Sequence, residues 1–141
     1  MKSEYIDVKG KWGVVYCYDL HRLDEYEIRQ FLMSFGMRGG RLDEAIDVLL
    51  FHKNTGLCVS SPGLRMSLIF IGNATGCDQF WDTTAHELLY HAACAIFDYY
   101  DVPYGSEAAA WTVGYLMRKA VQVIGAPCCA EEEPSQRSQP R

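Results

Sequence analysis

The sequence predicts an α+β domain, a small β-sheet packed against helices on one side, and three observations carry that expectation. Residues 12–19 form a β-branched and aromatic run, Trp-Gly-Val-Val-Tyr-Cys-Tyr-Asp, of the kind that a sheet buries on both faces. Residues 57–60 and 65–71 are two more extended stretches, joined at Ser61-Pro62-Gly63 as a hairpin would be. Two long helical stretches, 78–100 and 106–124, complete the pattern.

Taken in order, residues 12–19 make the first expected strand. Asp24 is placed to cap a helix bearing Tyr26, Ile28, Phe31 and Leu32, which Gly36 ends. Gly39-Gly40 reads as a turn, followed by a short helix over 42–52 with Asp43-Glu44 in its first turn and Ala45, Val48 and Leu49 inward. Asn54-Thr55-Gly56 is turn chemistry before the hairpin. The helix from Asp78 stops at Asp101-Val102-Pro103, and Ser106 caps the last one, which Gly125 and Pro127 stop. Residues 1–125 therefore form one expected domain. Residues 126–141, rich in Ser, Gln, Pro and Glu without periodicity, form an expected disordered tail.

A chain of 141 residues, 49% hydrophobic, can fill one core but hardly two. Its net charge is -5, and the last sixteen residues supply only -1 of it, three Glu against two Arg. An acidic body with Lys and Arg scattered along the chain excludes broad binding to nucleic acid or to an anionic membrane. No apolar run reaches the roughly 18 residues of a membrane span, and Met-Lys-Ser-Glu-Tyr-Ile-Asp has no apolar signal core. The six cysteines are therefore expected reduced, in a cytoplasmic protein, with Cys17, Cys58 and Cys94 as small buried hydrophobes.

The segment that carries chemistry is Thr84-Ala-His-Glu-Leu-Leu-Tyr-His-Ala-Ala, within the first long helix. Zinc peptidases use two histidines at i and i+4, with a Glu beside the first as general base toward the attacking water. Here His86 and Glu87 are present, but His91 comes at i+5. In an ideal α-helix that offset splays the two rings by about 140°. A π-bulge would restore the register. Glu107 opens the next helix in the context Glu-Ala-Ala-Ala-Trp-Thr-Val-Gly-Tyr, and can fold back through the 101–105 turn as a third ligand. Two ligand sets stand open: His86, His91 and Glu107 across a bulge, or Glu87, His91 and Glu107 in a regular helix. The bland reading also stands: helix histidines without a ligand role, and Glu107 as a first-turn carboxylate. Asp98 is a candidate to support the metal ligands, and Tyr90 and Tyr115 are candidates for a hydrogen-bond donor to the transition state. His21 reads as a solvated loop residue and His52 as a helix-terminal one.

On His86-Glu87, Glu107 to Tyr115 and the weaker signals Asn54-Thr55-Gly56, Gln79-Phe80 and the 67–72 strand, the sequence resembles the small zincin-like proteins of the gluzincin pattern encoded by bacteriophages and mobile elements. The resemblance covers roughly residues 12–120. It implies a zincin-like fold with a long metal-site helix, a Zn2+ cofactor held by His86 and Glu107, and Glu87 as catalytic base. His91 matches that family's second histidine only with one residue inserted among Leu88, Leu89 and Tyr90. The function implied is a zinc metallopeptidase acting on a peptide or protein. The alternative, favoured by the inserted residue and the small size, is a non-catalytic zincin-like interaction or structural module. A π-bulge with converging rings favours the enzyme, and a regular helix with diverging rings favours the module.

Overall fold

A computed structural model describes residues 1–19, 23–51, 56–72 and 74–125. Four strands, β1 (Lys2–Val8), β2 (Trp12–Tyr18), β3 (Gly56–Ser61) and β4 (Met66–Ile71), form one mixed sheet in the order β1-β2-β4-β3. β1 pairs antiparallel with β2, β2 parallel with β4, and β3 antiparallel with β4. The expected hairpin is therefore β3–β4, with β3 at a free edge. The expected central strand is β2, buried along its whole length except at Val15. The strand that pattern reading missed is β1. Only Ile6 and Val8 of it are buried, because an edge strand with one covered face gives a weak signal in seven residues.

Helix α1 (Glu25–Ser34) starts where expected: the Asp24 side chain accepts the Glu27 N–H at 2.8 Å. Replacing Asp24 by Ala is expected to cost about 1 kcal/mol, read as a lower urea midpoint with an unchanged slope. Helix α2 (Gly39–Leu50) begins three residues earlier than expected, because Gly39 takes φ +62° and leads straight into the helix rather than forming a separate turn. Helix α3 (Cys77–Thr84), a π-helical segment (Ala85–Ala92) and α4 (Ala93–Tyr100) run on as one rod, which ends at Asp101 in the left-handed conformation. The Ser106 hydroxyl accepts the Ala109 N–H and opens α5 (Glu107–Ile124).

The expectation of helices on one side of the sheet is corrected. Alternate residues of β2 and β4 feed two separate cores. Val14, Tyr16, Tyr18, Ile69 and Ile71 pack with Phe80, Leu88, Ile96 and Leu116 of the long rod and α5. Cys17, Leu68 and Phe70 pack on the other face with Ile28, Leu32, Ile46 and Leu49 of α1 and α2. The two-sided burial of β2 is what a sheet between two helical layers requires. A buried polar chain pins the strands: Trp12 Nε1 donates to Ser67 Oγ at 3.0 Å, and Ser67 bonds Ser60 at 2.7 Å.

Cys17 is fully buried, and Cys58 and Cys94 are half-buried; all are free thiols. Burial pushes both the Cys17 and the Cys58 thiol up to about 12, so both stay protonated and unreactive at neutral pH. Among the described residues no helix is long and apolar enough to cross a membrane. His21, His52, Asn54-Thr55, Pro127, Cys128-Cys129 and the 126–141 tail lie outside the described residues.

Candidate metal and active site

The site begins with how the long rod lies on the sheet. Phe80, Thr84, Leu88 and Ala92 are all fully buried and spaced four apart. Steps of four residues advance about 400° in an α-helix, so over three steps this line would turn about 120° away from the sheet. The rod stays on the sheet by under-winding: from Ala85 to Ala92 its hydrogen bonding is of the π type. Thr84 anchors the entry, its hydroxyl donating to Phe80 O at 2.9 Å and bonding the Tyr16 hydroxyl of β2.

The outer face of the under-wound segment shows the consequence. The i→i+5 pattern stacks residues five apart, and His86 and His91 converge, their Nε2 atoms 3.2 Å apart and their ring centroids 4.8 Å apart. Two nitrogens bound tetrahedrally to zinc at 2.0–2.1 Å would lie about 3.3 Å apart. That distance is compatible with two ligands of one zinc ion, and equally with a hydrogen bond between the rings in which one Nε2 donates to the other. Both imidazoles are exposed, with 64% of the His86 side chain open to solvent. The alternative set, with Glu87 and His91 as partners in a regular helix, loses its premise, because the helix is not regular here.

Glu87, beside the pair, is 7% exposed. Its Oε1 lies 3.9 Å from His86 Nε2. Burial raises its carboxyl above the ordinary 4.5, and the neighbouring His86 and His91 draw it part of the way back. Its lid is the edge strand. A Cβ on Gly56, the first residue of β3, would sit 2.6 Å from Thr83 Cγ2 and 2.8 Å from Glu87 Cγ. Gly56 thus lies against Glu87, whereas the sequence offered it as turn chemistry and as a weak part of the family resemblance; a bare glycine gives no sign that another element crosses it. Gly56→Ala is expected to lower stability by about 1–3 kcal/mol in urea unfolding, since both opposing side chains are buried and cannot swing away. Unchanged stability would mean that β3 does not press on the site.

The remaining expected site residues scatter. Glu107 is the exposed first residue of α5. Among the described residues no three His, Cys, Asp or Glu side chains are gathered so as to hold a metal ion, so Glu107 does not join the histidine pair in this structure. Tyr90 is 61% exposed and lies edge-on to His91, with centroids 5.1 Å apart. Asp98 does not support the histidines: it accepts a hydrogen bond from Tyr104 across the 101–105 turn. Tyr115 is also misplaced for a donor role. Its hydroxyl donates to Asp7 O of β1 at 2.8 Å, at the sheet edge opposite Gly56 and about 14 Å away counting three strand spacings.

The chain matches no family model, no curated protein and no solved structure.

Proposed function

We propose that this protein is a zincin-like zinc hydrolase of peptide or related amide bonds, with its centre at the π-helical turn. The observation that carries the reading is the 3.2 Å approach of His86 and His91 Nε2 across five residues, beside a buried carboxylate. A π-helical stretch is rare and poorly bonded, and such stretches favour functional sites. The converging rings are the geometry that separates the enzyme reading from the module reading.

His86 and His91 would hold the ion, with Glu107 as the third protein ligand on the strength of its sequence context. Bound there, zinc supplies Lewis acidity toward a carbonyl. Glu87 does the proton work. Its raised basicity lets it take a proton from the attacking water as the oxygen adds to the carbonyl carbon. It then gives that proton to the amine nitrogen as the C–N bond breaks. The edge strand at Gly56 keeps bulk water from one side of the carboxylate, and the open side of the histidine pair admits the substrate. Tyr90, exposed beside His91, would be the donor to the developing oxyanion.

One observation favours the rival reading, a non-catalytic zincin-like module: Glu107 stands apart from the histidines. Metal content and activity separate the two. After zinc loading and desalting, elemental mass spectrometry of the full chain is expected to find about one zinc per protein. A folded chain that takes up none sinks the metal centre. A zinc-loaded chain that cleaves no member of a broad peptide library belongs to the module.

A further inference from the structure

On α5, Glu107, Trp111, Gly114, Arg118 and Val121 follow one another at steps of four, three, four and three residues. That heptad spacing keeps side chains on one stripe of a helix. At 100° per residue the first four fall within an arc of about 60°. The far side of α5 holds Ala109, Leu116, Ala120 and Ile124 in the core. All five stripe residues are exposed. Trp111, 74% open to solvent, is the most exposed large apolar side chain among the described residues, and Val121 is 46% exposed. Gly114 leaves a bare slot on the stripe, where an added Cβ would meet nothing within 4 Å.

Contacts within one chain do not account for this stripe. A tryptophan left open forgoes burial of up to about 250 Å² of ring surface. Glu107 and Arg118 stand about 16 Å apart along the helix axis, too far to reach each other. Among the described residues no ion pair involves either of them. The Arg118 guanidinium rests 5.5 Å from the centroid of Tyr115, its neighbour on the same helix, and that ring leaves the charge unneutralised. The helix dipole favours a carboxylate at Glu107 but gives no reason for Trp111 or for Arg118, which precedes the last turn.

We propose that the stripe pairs with the same stripe of a second copy of this chain, the two α5 helices running antiparallel about a two-fold axis. An axis midway between Thr112 and Val113 sets Trp111 of each copy over Gly114 of the other. The same register sets Glu107 of each copy beside Arg118 of the other, because both pairs are centred on that point. The bulk of the indole fills the slot at the glycine, and an ion pair closes each end. A parallel pair would instead stack Trp111 on Trp111 and oppose Glu107 to Glu107 and Arg118 to Arg118, which like-charge repulsion disfavours. A two-fold axis makes the contact self-complementary and closed, so assembly stops at the dimer. One face of a helix about 27 Å long lies at the low end of interface sizes. The dimer is therefore expected to hold at micromolar rather than nanomolar concentration. The pairing stands apart from the zinc reading, and its test is done in EDTA, where no metal draws on Glu107.

The test is sedimentation equilibrium of the full-length chain up to about 0.5 mM, with charge-swapped variants. The wild type is expected to follow a monomer–dimer equilibrium with a Kd below about 100 µM, and a monomer at every concentration overturns the proposal. Glu107→Arg alone and Arg118→Glu alone each place like charges at both ends of the pair, and each is expected to weaken association at least about tenfold. Mixed one to one, the two variants regain an ion pair at each end, one native and one with its signs exchanged. Association of the mixture is expected to return to within about threefold of the wild type. A misfolded variant could not be rescued by mixing, so recovery also certifies the fold. A mixture that associates no better than either variant alone overturns the proposal and places any wild-type dimer on another surface. Trp111→Ala is expected to weaken the dimer at least about tenfold with an unchanged far-ultraviolet circular dichroism spectrum. Wild-type association in that variant likewise overturns it.

Discussion

Replacing His91 by alanine is expected to strip the protein of zinc while leaving it folded. His91 is exposed, and the buried line that holds the rod to the sheet runs through Phe80, Thr84, Leu88 and Ala92, so the change removes no core contact. What it removes is one half of a chelate whose two nitrogens are 3.2 Å apart. Loss of partners that merely orient a ligand already costs 10–100-fold in affinity, so loss of a ligand should cost at least about 100-fold. The measurement is a competition titration with a chromophoric chelator, with far-ultraviolet circular dichroism to check the fold. Glu107→Ala in the same assay reports on the third ligand. A loss of similar size means that Glu107 swings onto the ion when it binds, and wild-type affinity means that the pair works without it. Wild-type affinity in His91→Ala would remove the proposed centre altogether.

Glu87→Gln is expected to separate chemistry from binding. The substitution keeps shape and volume but cannot carry a proton, so hydrolysis should fall by about 10²–10⁴-fold while zinc affinity stays close to that of the wild type. Stability should move in the opposite direction to activity. The folded-state pKa of Glu87 is raised above 4.5 because burial disfavours its charge. The folded protein therefore holds this proton more tightly than the unfolded chain does. Stability from this group is fully present below 4.5 and is lost as pH rises through the folded-state pKa. In urea melts of the metal-free proteins across that range, the wild type should lose stability with rising pH more steeply than Glu87→Gln. Parallel curves would show that Glu87 titrates as if in water, and would undercut its role as a tuned base.

Both expectations depend on a segment that sequence reasoning located and only packing explains. The positions of His86, Glu87 and His91 named the candidate centre, and the five-residue offset said that it required an under-wound turn. Nothing local compels that turn, since Ala, Leu and Glu all favour an ordinary α-helix. The cause is tertiary. The sheet has to cover Phe80, Thr84, Leu88 and Ala92 at once, and four-residue spacing fits one face only if the rod under-winds. A four-residue rhythm of buried side chains is visible in the sequence, yet it means this only once a flat surface is known to lie beneath it.

What the sequence determined by itself is what short-range chemistry decides. The aromatic and β-branched run of β2, the β3–β4 hairpin and the stops at Gly36 and Asp101 follow from residues close in the chain. So do the caps Asp24 and Ser106, whose side-chain oxygens meet N–H groups three residues on. What only the tertiary structure decided is what distant segments impose on one another. β1 joins the sheet through seven residues of which two are buried, too few to be read alone. The second helical layer depends on which face of β4 the pair α1 and α2 covers. Tyr115 meets the β1 edge through the bond from its hydroxyl to Asp7 O, which brings Lys9 to the ring beside its helix neighbours Arg118 and Lys119. Gly56 matters because another helix presses on it. Side-chain type and spacing fix an element, but position across a sheet is set by long-range burial, which has no local signature.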